Sequence, residues 1–217
     1  MLLKLSKLAE HIHETWQNKY LANKVSYSIW TFVEVLARIT KDQERIMDVL
    51  GQQGLIFKAE GKYKRALDIF RKCLEIAKEN KNPHAIQVYL SEVAIVLILE
   101  GKAEEALPYA QEAVEIAEKN APEDICHQLT HLGRAYMELG NYEEAEKALS
   151  RANTIAKDEK EKVSHPAQRA GAMIAYAELL RKEGKEKVSE ELLADAKAYC
   201  QQRGLQRRLE QISALKY

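Results

Sequence analysis

Apolar residues recur along most of the chain at the three- and four-residue spacing of a helix face, in paired segments separated by short polar turns. The stretch 129–152, LTHLGRAYMELGNYEEAEKALSRA, is the clearest case. Leu129, Leu132, Gly133 and Tyr136 fall on one face, Gly140-Asn141-Tyr142 breaks the pattern, and Ala145, Leu149 and Ala152 fall on a second. Small residues on both faces predict two helices packed closely side by side. The same arrangement returns along the chain: turn glycines at Gly61, Gly101, Gly140 and Gly184 lie 40, 39 and 44 residues apart. Pro83, Pro122 and Pro166 keep a matching step of 39 and 44, and each stands where the first helix of a new pair is expected, a position that tolerates a missing N–H.

The ends follow the pattern less strictly. Shifting the second helix of the Gly61 pair back by 40 sets Ser26, Trp30, Val33 and Ala37 where Ala66, Phe70, Cys73 and Ala77 stand, so a degenerate first repeat is expected. Ahead of it, Leu2, Leu5, Leu8, Ala9 and Ile12 form an apolar stripe on a helix from about Leu2 to Trp16, with Lys4, Lys7, Glu10 and Glu14 mostly off it. After Gly204, a predicted helix stop, Leu205, Leu209, Ile212 and Leu215 define a last amphipathic helix that would cap the array. Gly54 and Phe57 are expected to face inward from one first helix, and Ala66, Phe70 and Cys73 from its partner. Ser189 takes a slot usually filled by alanine, and the charged connector KDEKEKVSHPA accounts for the longer step of 44.

Glycine, alanine and aromatic positions in this order resemble the tetratricopeptide repeat (TPR) signature, in which a helix-turn-helix unit is stacked into a solenoid. The long period is similar to the extended repeats of kinesin light chains and of bacterial peptide-sensing regulators, over roughly residues 45–200. The resemblance implies an all-α fold, a right-handed superhelix of about five helix pairs with a C-terminal capping helix, in one domain spanning 1–217. Its divisions are a degenerate repeat or cap at 1–44, repeats at 45–82, 83–121, 122–163 and 164–203, and the capping helix at 204–217. Two ligand grips of the family are not matched. Gly51, Leu55, Ser91 and Ile95 stand where a chaperone-tail carboxylate clamp would place lysines and asparagines, and Asn80, Asn82, Asn120, Asn141 and Asn153 fall in turns, helix ends or second helices instead of the groove.

Charge and chemistry narrow the function classes. Lysine plus arginine equals aspartate plus glutamate, 33 each, so no net field draws the chain to nucleic acid or an anionic membrane. Charges at Lys4, Lys7 and Glu10 interrupt the N-terminal apolar run, which argues against a leader or a spanning segment and for a cytoplasmic protein. Three separated cysteines, Cys73, Cys126 and Cys200, predict buried reduced thiols. His127 and His131 are one turn apart in HQLTH, but Gln128 replaces the glutamate of a zinc protease and a third ligand is lacking, so no metal or other cofactor is expected. No nucleophile constellation or phosphate-cradling glycine loop is present, so the chain is expected to be non-enzymatic.

The expected working surface is therefore the concave groove. The helix VYLSEVAIVLILEG is apolar on nearly every side, so its third face, Val88, Ser91, Ile95, Ile98 and Leu99, demands a cover. An apolar strip is expected from Leu55 through that helix to Met137 and Ile174, with Lys58, Arg134, Arg181 and Lys182 along its margin and His127 as a polar groove contact. This surface suits a protein or peptide segment, apolar or amphipathic and carrying acidic residues, held by an adaptor. Two alternatives stay open: a self-associating scaffold whose groove is filled by its own N-terminal helix, within the chain or in a homodimer, and a peptide sensor acting through a separate effector.

Overall fold

The computed structural model describes residues 7–8, 25, 28–29, 31–35, 39, 42–158, 163 and 165–215. Most of the expected stripe from Leu2 to Trp16 lies outside these residues, as do Ser26, Trp30 and Ala37; Val33 is described and is fully buried. Nine α-helices follow among the described residues. They are α1 (Gln43–Ala59), α2 (Tyr63–Glu79), α3 (Pro83–Leu99), α4 (Ala103–Asn120), α5 (Ile125–Glu138), α6 (Tyr142–Lys157), α7 (Pro166–Lys182), α8 (Glu186–Arg203) and α9 (Gln206–Ala214). The fold is an all-α solenoid of sequentially paired helices. It divides into two compact units, Met1–Val96 and Leu97–Tyr217, with the division inside α3 and away from the repeat boundaries read from the sequence.

Turn chemistry explains the helix ends. Gly61, Gly101, Gly140 and Gly184 all sit at φ between +72° and +76°, the left-handed region in which a Cβ is unfavourable. The N–H after each glycine reaches back to a carbonyl in the last helical turn, as Asn141 does to Tyr136 at 2.9 Å, which satisfies an otherwise orphaned acceptor. The α2–α3 turn makes the same bond, Asn82 N–H to the Ala77 carbonyl at 3.1 Å, with Lys81 at φ 50° in place of glycine. At the starts, Pro83 and Pro166 are the first residues of α3 and α7, and Asn82 Oδ1 and His165 Nδ1 accept from the backbone N–H groups of Ala85 and Ala167. Pro122 differs from expectation: it opens a single 3-10 turn, Pro122–Asp124, and α5 begins only at Ile125.

In the first unit α1 and α2 pack so closely that a Cβ on Gly54 would stand 2.5 Å from Phe70 Cε1. Phe70, Cys73 and Ala77 are fully buried, as their spacing requires, whereas Phe57 is only half-buried, with the Lys62 ammonium and Arg65 guanidinium each 5.7 Å from its ring centre. The inward orientation expected of Phe57 is thus corrected: an aromatic that shares two cations keeps one face toward solvent.

In the second unit α5 packs against α4, α6 and α7, and α7 against α8. Gly133 meets Leu149 as Gly54 meets Phe70, with a Cβ position 2.4 Å from Leu149 Cγ. Ser189, in its alanine slot, donates its hydroxyl to the Ala177 carbonyl at 2.7 Å and so satisfies the polar atom it buries. Gly204 ends α8, and α9 packs on α7 and α8 through Ile212, 2% exposed, with Leu205, Leu209 and Leu215 against the same core. Burying an isoleucine side chain contributes about 1.5–3 kcal/mol toward holding this nine-residue helix on the end of the unit. Helix α6 ends without a glycine turn. Arg169, on α7, instead donates to the carbonyls of Ile155, Ala156 and Asp158 at 3.1, 2.8 and 2.7 Å, closing the end of α6 from outside.

Candidate functional site

Within the first unit, the paired first helices α1 and α3 border an open cleft of about 390 Å³. One wall is Arg45, Asp48, Gly51, Gln52 and Leu55 of α1, spaced at helical turns. The other is Val88, Tyr89 and Glu92 of α3, Phe70 contributes from α2, and Lys7 borders the opening. Tyr89 fixes the geometry. Its hydroxyl donates to the Met47 carbonyl at 3.1 Å, its ring lies 6.4 Å from that of Phe70, and a Cβ on Gly51 would come within 2.6 Å of its oxygen. Gly51 is therefore needed to admit Tyr89, and the pair sets how near α3 comes to α1.

Lys7, Arg45, Asp48 and Glu92 are the charged residues of the lining. Lys58 donates to the Glu92 carboxylate, and its ammonium lies 5.8 Å over the Phe70 ring. Burial pushes the Tyr89 hydroxyl up from its ordinary value and the Cys73 thiol up to about 12; Cys126 in the second unit is raised to about 11 for the same reason. These thiols stay protonated and offer no nucleophile.

The second unit carries a hollow of about 310 Å³ bounded by Met137 and Glu138 of α5, Ala177, Glu178, Arg181 and Lys182 of α7, Ser189 and Leu193 of α8, and Leu215 beyond α9. Its charges are matched internally. Arg134 donates to Glu178 at 3.1 Å, Lys182 stands 3.7 Å from Glu138, and Arg181 donates to the Leu215 carbonyl. One further cluster lies on α5, where the Nε2 atoms of His127 and His131 are 3.2 Å apart.

The residues expected to form one strip are distributed as follows. Leu55 and Val88 meet in the first cleft, and Lys58 adjoins it through Glu92. Ile95 and Ile98 are half-buried on α3 and Leu99 is 49% exposed. Met137 and Arg181 share the second hollow, with Arg134 beside it. His127 is half-buried beside His131. Ser91 and Ile174 are corrections: at 2% and 0% exposed they belong to the interior. A rotation of roughly one residue about the helix axis separates a lining position from a core position, which explains both errors. Lys58, Arg134, Arg181 and Lys182 each face an acceptor of the chain itself. Sequence reasoning passed over Tyr89, Glu92, Glu178 and Leu215. A glycine at Gly51 in mid-helix was a usable sign that a large side chain sits opposite.

The sequence matches the tetratricopeptide repeat family over residues 45–119 and 85–158, more than half of the chain, and the protein belongs to that family. Among solved structures it is similar to the nearly identical TPR-like repeats of a Podosopora anserina protein described as a kinesin light chain, at 18% identity and a TM-score of 0.67, covering 91% of this chain and 94% of that one. It is also similar to a Rap protein complexed with competence and sporulation factor, at 16% identity and a TM-score of 0.66, over 98% of this chain and 61% of that one. The third is NprR in complex with its cognate peptide NprX, at 15% identity and a TM-score of 0.71, over 100% of this chain and 65% of that one. At these identities the likeness shows the fold. No curated protein matches the chain by sequence, and no helix among the described residues is long and apolar enough to cross a membrane.

Proposed function

We propose that this TPR protein is a non-enzymatic interaction module, an adaptor that takes an apolar or amphipathic helical segment of a partner protein against the α1–α3 face. The observation that carries the reading is the cleft itself: Leu55, Val88 and Phe70 give it apolar surface, Glu92 is paired with Lys58, and Lys7, Arg45 and Asp48 add charge to its lining. Recognition then comes from apolar burial with shape, in the manner of a helix laid in a groove. Arg45 and Lys7 line the cleft beside Asp48, so an acidic residue on the partner can add to the apolar contact. The NprR structure, in complex with its cognate peptide, supports a peptide-sized partner by analogy of fold alone.

The test is a panel of labelled amphipathic helical peptides, neutral and acidic, titrated into wild type and Val88→Asp. A carboxylate at Val88 removes about 1.5–3 kcal/mol of apolar burial, so binding of the neutral peptides should weaken at least tenfold while circular dichroism stays helical. Equal affinity of the two proteins for every peptide bound would overturn the assignment. One observation favours a second reading, in which the chain's own beginning competes for this surface: Lys7 borders the cleft. Removing residues 1–16 should then raise peptide affinity, and unchanged affinity speaks against competition.

A further inference from the structure

His127 and His131 lie one helical turn apart on α5, both half-buried, with ring centres 4.3 Å apart and ring planes at 87°. Their Nε2 atoms face each other at 3.2 Å. Two imidazole nitrogens bound at about 2.0–2.1 Å to one tetrahedral ion are separated by roughly 3.3 Å, so the pair already has close to the bite of a chelate. The backbone beneath it is firmly held. Thr130 donates to the Cys126 carbonyl at 2.7 Å, Gly133 is seated against Leu149, and α5 has helices on three sides. Little ordering is needed to present both rings to one ion. Arg134, the next cation along the helix, is neutralised by Glu178 at 3.1 Å.

We propose that His127 and His131 form a two-imidazole site for a borderline divalent cation, Zn²⁺ or Cu²⁺, with the remaining coordination positions open to water. Imidazole ligands select these ions over Mg²⁺ and Ca²⁺, which take oxygen donors. Cys126 does not contribute, since its thiol is fully buried and directed to the Ala152 carbonyl at 3.5 Å. Among the described residues no group of three or more His, Cys, Asp or Glu stands together, so the two imidazoles are the ligands proposed, fewer than the four of a structural zinc centre. Loading balances without loss of a proton. The ring that donates through Nε2–H shifts that proton to Nδ1, and both Nε2 lone pairs then point to the ion. This proposal is independent of the cleft on α1 and α3.

The test uses the full-length protein and Zn²⁺ alone. Calorimetric titration should show one principal site, and either His127→Gln or His131→Gln should weaken it at least tenfold, because one ligand of two is lost. In wild type, imidazole ¹⁵N resonances of His127 and His131 should shift on addition of Zn²⁺ before those of His84 and His165, a readout that does not depend on how the variants fold. Absence of binding at millimolar Zn²⁺, first shifts at other histidines, or retention of wild-type affinity in both variants would each overturn the assignment.

Discussion

The cleft of the first unit and the hollow of the second are built from equivalent faces, yet they are finished differently. In the second unit the chain completes the hollow itself: Leu215, delivered by α9, forms part of the wall, and its carbonyl engages Arg181. In the first unit the cleft between Leu55 and Val88 has, among the described residues, only the edge contact of Lys7 beyond α1–α3. A repeat array offers the same kind of surface many times. The backbone solution is shared: each unit buries a mid-helix glycine under a large side chain of the partner helix, Phe70 in one and Leu149 in the other.

That parallel can be broken first at the glycines. Gly54→Ala and Gly133→Ala each place a Cβ within 2.5 Å of a buried side chain, so overpacking of about 1–3 kcal/mol should outweigh the gain of about 1 kcal/mol in helix propensity. Denaturant titration should show the greater loss at Gly54, because a planar ring yields less than a leucine. Pairing Gly54→Ala with Phe70→Leu should recover part of it, and no recovery would show that the contact is not what requires glycine. A second effect is alkaline. The Cys73 and Cys126 thiols are raised to about 12 and about 11 in the fold, so between the ordinary thiol value and these the native state holds protons that the unfolded chain has lost. Stability should therefore fall as pH rises above about 9, by about 1.4 kcal/mol per pH unit for each thiol. Cys73→Ala/Cys126→Ala should flatten that slope.

Smaller effects sharpen the contrast between ends. Gly171→Ala would bring a Cβ to 2.8 Å from Arg208 Nη2, the tip of a flexible side chain reaching back from α9, so a loss of about 1 kcal/mol or less is expected, confined to the second unit in hydrogen exchange. Lys81→Gly should stabilise the first unit by about 0.5–1 kcal/mol, since the turn is already left-handed and a Cβ there is a penalty.

Much of this fold was legible in the sequence because its punctuation is local. A glycine at positive φ, a proline opening α3 or α7, and the stripe of α9 each act within a few residues, and period alone located them. The site was less legible because its facts run between helices. That Lys58 meets Glu92, that Arg134 meets Glu178, and that Ser91 and Ile174 turn inward depend on the rotation of one helix against another, which repeat spacing leaves open to within about a residue. The connector after Lys157 showed the same limit from the other side: its composition announced a long loop, and nothing in it announced that Arg169 would bind the end of α6.

Arg169 changes how this part of the array should come apart. Elsewhere a helix is terminated by its own next residues, so each turn can form before its neighbour arrives. Helix α6 is terminated by a residue of the following repeat, which moves stability out of the unit's intrinsic free energy and into the coupling between neighbours. In a one-dimensional chain of repeats, coupling sets cooperativity. Losing Arg169 should therefore broaden the unfolding transition more than it lowers the midpoint, as α6 frays ahead of α7.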